Sequence, residues 1–464
     1  MELDLVNSDA GTEVGSYFVS NYPPYSAWKQ EHVPSALATL SASASPESDE
    51  RSAAGNEQSA IDNRQSTIEN APPPLGLYLH IPFCRKRCKF CYFRVYTDKN
   101  ARDVDAYMDA LANEIALYSD KARLTGREFE FVYFGGGTPS FLSSAQLERL
   151  IERINKHWRW DAAREVTFEC EPGTLRRSKL ETIKRIGVTR ISLGVEHFDD
   201  DVLEANGRAH KSPEIFRAYD WIREIGFPQV NIDLIAGMVG ETEEKWKSSV
   251  QKALELAPDS LTVYQMELPY NTVFTRETQD AGGQSPVADW TTKRRWVAYA
   301  FDLFERAGYV VSSGYTVAKP GEHDGFVYRD ALWRGADMVG TGVASISHVG
   351  GMHYQNLDAW GDYLAAIARG ELPLARALPI APEQRLIREL ILQIKFGRLD
   401  AGYFREKFAV EILERFAAEF ASIVSEGMGE IQGDKIDLTR AGLLRVDGLL
   451  KRFFEPQFRD IRYT

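Results

Sequence analysis

The chain has 464 residues, 44% hydrophobic and 26% charged, with a net charge of −12 at neutral pH and an isoelectric point near 5.4. That length and apolar content support a large core and more than one domain, and the acidic balance argues against a general nucleic-acid-binding surface. The sequence holds no run of about 18 apolar residues, so no membrane span is expected. Residues 1–35 form an N-terminal arm in which Tyr17, Phe18, Tyr22, Tyr25 and Trp28 crowd into GSYFVSNYPPYSAWKQE. Aromatics at that density pack on something, and two placements are open: the outside of the main domain, or its active site. Residues 36–74 read as a linker, because 36–70 are rich in Ser, Ala, Glu, Asn and Gln and bury too little apolar surface to order themselves. The N-terminal extension is therefore expected to be largely disordered. From Leu75 onward, apolar strands at 75–80, 130–134, 165–170, 189–194, 230–236 and 260–266 alternate with amphipathic helices at 102–119, 144–158, 176–187, 213–226 and 241–256. Such alternation means βα units around a parallel sheet, an α/β domain spanning 75–378. Residues 379–464 form a separate C-terminal α+β unit, with helices at 382–395, 399–408 and 410–427, a short strand pair around GEIQGDKIDLT and a last helix at 440–452.

Three cysteines stand at Cys84-X3-Cys88-X2-Cys91, just past the first strand. Cysteine thiolates are the usual ligands of iron–sulfur clusters, and three of them leave one iron of a [4Fe–4S] cube for a small molecule. A zinc site would want a fourth nearby ligand, and His80, the close candidate, has the wrong spacing for a ribbon or finger. A structural disulfide fits poorly with four cysteines in 464 residues and no signal peptide. Cys170, on the strand EVTFECEP, reads as a small buried residue. Each later strand end carries a polar group or a glycine run. Gly135-Gly136-Gly137-Thr138-Pro139 offers backbone that a ligand can approach closely. Glu169 and Glu171 close the third strand, Glu196 the fourth, and Asp233 is a charge inside the apolar strand NIDLIAGM, costly unless partnered.

The cysteine spacing is similar to the signature of the radical S-adenosylmethionine (SAM) enzymes. The wider string YLHIPFCRKRCKFCYF, with Tyr78 and His80 ahead of the cysteines, resembles that of the oxygen-independent coproporphyrinogen III oxidases and their relatives, the haem chaperones and certain radical methylases. The resemblance covers roughly residues 75 to 455. It implies that the six βα units make a partial (β/α)6 radical SAM barrel, with its site at the C-terminal strand ends, and that the C-terminal unit is winged-helix-like and caps the barrel's open side. It implies a [4Fe–4S] cluster on Cys84, Cys88 and Cys91, with Tyr78 in the site and Phe90 at the SAM adenine. Gly135, Gly136, Gly137 and Thr138 would chelate the SAM amine through backbone, and Glu169 would meet that amino group. Glu196 stands where the family has a glutamine on the ribose, and it accepts but cannot donate. Arg208 would pair with the methionine carboxylate, and Asp233 would sit near the ribose. Gly342 and Val343, within Gly340–Ser347, resemble the segment bordering a second SAM, so one or two SAM molecules are implied.

The activity implied is reductive cleavage of SAM to methionine and a 5′-deoxyadenosyl radical, which abstracts hydrogen from a porphyrin-type substrate, as in oxidative decarboxylation of a porphyrinogen. No conventional catalytic acid or base is assigned. Two departures from the family stand out. Phe93 occupies the place of a fourth motif cysteine found in the oxidases proper, and Tyr328-Arg329-Asp330-Ala331-Leu332-Trp333 lacks the chaperones' haem-ligating histidine, with His323 only upstream. A two-SAM methylase and a haem chaperone or carrier therefore stay open beside the oxidase. The expected partners are a small-molecule substrate and an electron donor such as flavodoxin or ferredoxin, with no nucleic acid. A cluster of this kind needs a reducing compartment, which points to the cytoplasm.

Overall fold

A computed structural model describes residues 21–43, 72–269, 272–280, 286–321, 325–459 and 461. Fifteen strands occur among them: β1 (Leu75–Ile81), β2 (Phe129–Gly136), β3 (Glu165–Cys170), β4 (Arg190–Glu196), β5 (Gln229–Ala236), β6 (Ser260–Gln265), β7 (Val310–Ser313), β8 (Thr316–Ala318), β9 (Asp337–Thr341), β10 (Ile346–Val349), β11 (Met352–Asn356), β12 (Leu374–Pro379), β13 (Arg398–Asp400), β14 (Gly429–Gln432) and β15 (Lys435–Leu438). The first twelve form one open sheet in the order β12-β11-β10-β9-β1-β2-β3-β4-β5-β6-β8-β7.

The six predicted βα strands are its parallel centre, with Leu77 opposite Val132 and Phe134 opposite Phe168. Both faces of these strands are covered, so Leu77, Leu79, Ile81, Ile191, Leu193, Ile232 and Leu234 are all buried. The sheet is wider than the sequence pattern indicated. β9 adds a seventh parallel strand on the outer side of β1, and antiparallel strands extend both flanks. These extra strands are three to six residues long, too short for a clear alternation signal.

Helix ends follow local chemistry. Ala101–Ser119 starts on an Asn100/Asp103 capping box, and Ser212–Ile225 stops at Gly226, whose φ of 78° suits a left-handed cap. The predicted helix 144–158 ends early, at Ile154. No helix among the described residues is long and apolar enough to cross a membrane.

The C-terminal unit has its own core, in which Leu390, Ile391, Phe404, Ile412 and Leu450 meet. Helices Pro382–Ile394, Ala401–Phe408 and Ala417–Ser425 pack on the β13-β15-β14 wing. The last predicted helix, 440–452, is broken into Arg440–Leu443, Val446–Leu450 and a final 3-10 turn. Gly442 sits where a Cβ would meet the Met428 carbonyl oxygen at 1.9 Å, so this close approach demands glycine.

Part of the N-terminal arm packs on the protein, in the first of the two placements open to its aromatics. Tyr22 is fully buried in the C-terminal core, and its hydroxyl donates to Glu455 at 3.0 Å. Trp28 stacks on His353 with ring centroids 5.1 Å apart, and Lys29 pairs with Ala377 on β12 through two 2.9 Å backbone bonds. This stretch of the arm therefore docks on the sheet's outer edge. Beyond residue 35 the expected linker begins as helix, Val33–Ser41, because Ala36 and Leu40, one turn apart, bury against the main core. Tyr17, Phe18 and residues 44–71 lie outside the described residues.

Candidate active site

β1 leaves the sheet at Ile81 and runs straight into the cysteine loop. Backbone bonds from Tyr96 to Pro82 (2.7 Å) and from Cys84 to Tyr96 (3.1 Å) pin the loop at its ends, and Lys89 donates to the Asn206 carbonyl at 3.1 Å in its middle. Arg85 anchors it from the side, bonding Glu171 at 2.9 Å. Burial alone would raise the Glu171 carboxyl, but His210 and Arg85 hold it down at about 2.

Cys84, Cys88 and Cys91 are half-buried free thiols, whereas Cys170 is buried. Burial, with a contribution from the neighbouring sulfurs, pushes Cys84 up to about 12 and Cys91 up to about 11. Thiols that ionise this reluctantly become ligands when a metal's positive charge offsets the cost. Thr138 Oγ1 already points at Cys84 Sγ and Arg208 Nη1 at Cys88 Sγ, each at 3.3 Å. Among the described residues no three His, Cys, Asp or Glu side chains converge as ligands of a single metal ion.

The end of β2 forms the next wall. A Cβ on Gly136 would stand 2.6 Å from the His80 ring, one on Gly135 3.0 Å from the Tyr78 ring, and one on Gly137 2.9 Å from Pro82. Gly136 also has φ of +113°, so side-chain-free backbone is a requirement here. Tyr78 is half-buried and stacks on Tyr133 at 5.8 Å. Tyr133 in turn donates its hydroxyl to Glu169 at 2.7 Å, and the Gly136 N–H donates to the same carboxylate at 3.2 Å.

Burial raises Glu169 to about 7. Asp233 is raised by burial as well, although Ser192 (2.9 Å) and Asn231 (2.9 Å) donate to it. Glu196, the last residue of β4, takes φ of 63° where the β4–β5 register shifts. A non-glycine residue in that region carries backbone strain of a kind that clusters at functional sites. Glu196 too is pushed by burial to about 7, against the lowering effect of Arg208 3.5 Å away. Burial works against the Arg208 charge, yet Cys88, Glu196 and Glu171 keep its pKa above the ordinary value. Its Nη2 donates to the Gly194 carbonyl at 2.8 Å, while its Nε is buried without a hydrogen-bond partner among the described residues. Glu196 thus faces Arg208 directly, while Glu169 and Asp233 share the same poorly solvated strand ends, where Arg190 and Arg208 both act on Asp233. Such a pocket favours a ligand carrying positive charge together with one acidic group for Arg208.

A cavity of about 360 Å³ opens beside these groups. Phe90, Cys91, Tyr92 and Phe93 of the loop line one side, Glu169, Glu196, Ile235 and Tyr264 the strand ends, and Trp290, Arg294 and Tyr315 the far side. The broken last helix closes it with Leu444, Arg445 and Asp447. Asp447 ties the two units together, because it accepts from the Tyr315 hydroxyl and pairs with the fully buried Lys395 at 3.0 Å.

Of the residues expected from sequence, Phe90, Cys91, Glu169 and Glu196 line the cavity. Arg208, Asp233, Thr138 and the glycines stand just behind them through the contacts given above. Gly342 and Val343 do not belong to this group. Their N–H groups are taken by Glu114 (2.8 Å) and Tyr107 (3.0 Å), and both residues are buried in the core against β1. The expected second-SAM border is therefore spent on internal bonds. Tyr328 is likewise packed on Tyr133, rings 4.3 Å apart, and His323 lies outside the described residues. Sequence reasoning missed Tyr133, Tyr264, Tyr315, Arg294 and Asp447. Tyr264 could have been found as the outward residue at the end of β6, but nothing local marks the others.

Residues 78–253 match the profile of the Radical SAM superfamily. The chain is 27% identical over 396 residues to the oxygen-independent coproporphyrinogen III oxidase of Escherichia coli, covering 82% of this chain and 85% of that protein. It is 27% identical over 372 residues to the heme chaperone HemW of Bacillus subtilis, covering 79% and 96%, and 32% identical over 275 residues to HemW of E. coli, covering 59% and 70%. Among solved structures, the coproporphyrinogen III oxidase HemN of E. coli superposes with a TM-score of 0.76 at 24% identity, over 94% of this chain and 96% of that one.

Proposed function

Because the chain belongs to the radical SAM superfamily, in the family that joins the oxygen-independent coproporphyrinogen III oxidases and the HemW heme chaperones, we propose that it is a SAM-cleaving oxidoreductase acting on a porphyrinogen-like substrate. The observation that carries this reading is the cavity beside the cysteine loop, bounded by Glu169 and Glu196 on the barrel and by Asp447 on the cap. The residues suit the group the family binds. Three free thiols on one pinned loop fit a [4Fe–4S] cluster, the orphaned Arg208 Nε suits the SAM carboxylate, and the three carboxylates suit its ammonium and sulfonium charges. Cys84, Cys88 and Cys91 would hold the cluster, which would supply one electron for reductive cleavage of SAM and so hydrogen abstraction from substrate.

This chain's own residues bind, orient and exclude water. Arg208 holds a carboxylate and shields Cys88. Tyr133 and Gly136 fix the Glu169 carboxylate for an ammonium group, and Asp233 is fixed in the same way by Ser192 and Asn231. The Tyr315–Asp447 hydrogen bond, with Lys395 paired to the same carboxylate, ties the cap to the barrel beside the site. Packing of Tyr328 against Tyr133 favours an enzyme over a haem carrier, since the position of the chaperones' histidine holds a half-buried aromatic lying against its neighbour. Anaerobic reconstitution with iron, sulfide, dithionite and SAM, with and without a porphyrinogen, tests the proposal. Formation of 5′-deoxyadenosine and, with a one-electron acceptor added to take the electron left on the substrate radical, of CO2 and a decarboxylated porphyrinogen is the expected result. Tight stoichiometric haem binding with no product derived from SAM would overturn it.

A further inference from the structure

Phe90, Ile235 and Met266 form an apolar corner of the cavity, and Val202 and Met238 pack against them from behind in one small cluster. Met238 stands on the turn that follows β5, and Val202 on the short helix Asp200–Ala205 that follows β4. In the turn, Gly237 has φ of 94°. Its N–H and that of Met238 both donate to Glu241 Oε2, at 2.6 and 2.9 Å. A Cβ on Gly237 would meet Lys293 Cγ at 2.5 Å, so the turn is pressed from its other side as well. Asn206 clamps Val239 through bonds of 2.9 and 3.2 Å.

The Glu241 side chain is fully buried, which is costly for a carboxylate unless donors face it. The equally buried His197 faces it, with Nε2 3.1 Å from Glu241 Oε1. The other ring nitrogen fixes which way the imidazole is protonated. Nδ1 accepts the Asp199 N–H at 2.9 Å, so the neutral ring carries its proton on Nε2, towards the carboxylate. Asp199 in turn caps the helix that bears Val202, accepting from the N–H groups of Asp201 and Val202. One ring thus joins both supports of the corner: the helix through Nδ1 and the turn through Nε2.

We infer that His197 is a positioning residue for the adenosyl end of SAM, acting through Glu241 and Asp199 on the apolar corner beside Phe90. The inference rests on the proposed function, which puts SAM in this cavity. A purine ring presents flat apolar faces that aromatic and methionine side chains cover well. Arg208 and the strand-end acids serve the charged methionine end, so the two ends of the ligand have separate supports. His197 lines no part of the cavity and reaches the ligand through the backbone it holds.

The test is equilibrium binding of SAM, 5′-deoxyadenosine and methionine to the reconstituted protein. His197→Asn keeps an acceptor for the Asp199 N–H but falls short of Glu241, whereas His197→Gln brings an amide N–H to the place of Nε2. His197→Asn should weaken SAM and 5′-deoxyadenosine about tenfold, the scale of one buried hydrogen bond lost, with methionine affinity and iron content unchanged. His197→Gln should recover most of that affinity. Hydrogen exchange at Gly237 and Met238 should quicken in His197→Asn and not in His197→Gln. Should His197→Asn fail to fold, Glu241→Gln, which sets an amide N–H against the His197 N–H, should show the same selective loss. Equal weakening of both fragments, unchanged 5′-deoxyadenosine affinity, or a loss in His197→Gln as large as in His197→Asn would each overturn the inference. Wild-type protein that binds no SAM would remove the proposed function and this inference with it, a result distinct from wild-type SAM binding that the variants leave unchanged.

Discussion

Replacing Glu196 by Gln should make the SAM-free protein more stable, by an amount that grows as pH rises from 4.5 to about 7 and is constant above that. The carboxyl is buried beside Arg208 with its side chain 13% exposed, and burial lifts it from the ordinary 4.5 to about 7. At 1.36 kcal/mol per pH unit, that difference corresponds to about 3 kcal/mol of disfavoured ionisation. Below pH 4.5 the folded and unfolded chains both carry the protonated acid, so no stability difference arises from it. As pH rises from 4.5 towards 7 the unfolded chain ionises while the folded one does not, and the folded state loses ground; above 7 the loss is complete. Glutamine cannot ionise, so the Glu196→Gln protein escapes that loss. It also relieves Glu169, whose own ionisation Glu196 opposes. Chemical denaturation of both proteins at a series of pH values from 4.5 to 8.5 reads the effect, as a gap that widens by about 3 kcal/mol across this window. A gap that stays constant, or one in which the wild type gains with pH as an Arg208-stabilised carboxylate would, refutes the assignment.

Three further outcomes are expected. Cys84→Ala, Cys88→Ala and Cys91→Ala should each lose the cluster absorbance and SAM cleavage while Cys170→Ala keeps both, as read by iron and sulfide analysis; full cluster content in Cys88→Ala would overturn the ligand set. Arg208→Ala should weaken SAM binding by about 2–5 kcal/mol with iron content unchanged, measured by equilibrium binding, because a desolvated anion would lose its partner. Asp447→Asn should destabilise the protein by about 3–5 kcal/mol and lower its thermal midpoint, since it removes the carboxylate that both pairs with the fully buried Lys395 and accepts from Tyr315 across the two units; an unchanged midpoint would show that this carboxylate does not hold the cap.

Much of the fold and the heart of the site were legible along the chain, for a local reason. A buried parallel strand is a continuous apolar run and a surface helix a 3.6-residue stripe, so the six βα units announce themselves. The cysteine loop, the Gly135–Gly137 turn and the strand-end acids Glu169 and Glu196 are contiguous with those elements and inherit their positions. Tertiary structure decided what depends on remote partners. The short strands β7–β12 exist because neighbouring strands supply their hydrogen bonds, and residues 36–41 turn helical because Ala36 and Leu40 find the barrel core. Gly342 and Val343 looked like a ligand border, but their N–H groups meet Glu114 and Tyr107 from a helix more than 200 residues earlier. The far wall of the cavity is the clearest case. Tyr315 and Asp447 are 132 residues apart and joined by one hydrogen bond, a pairing that carries no local periodicity and arises only when the C-terminal unit closes on the strand ends.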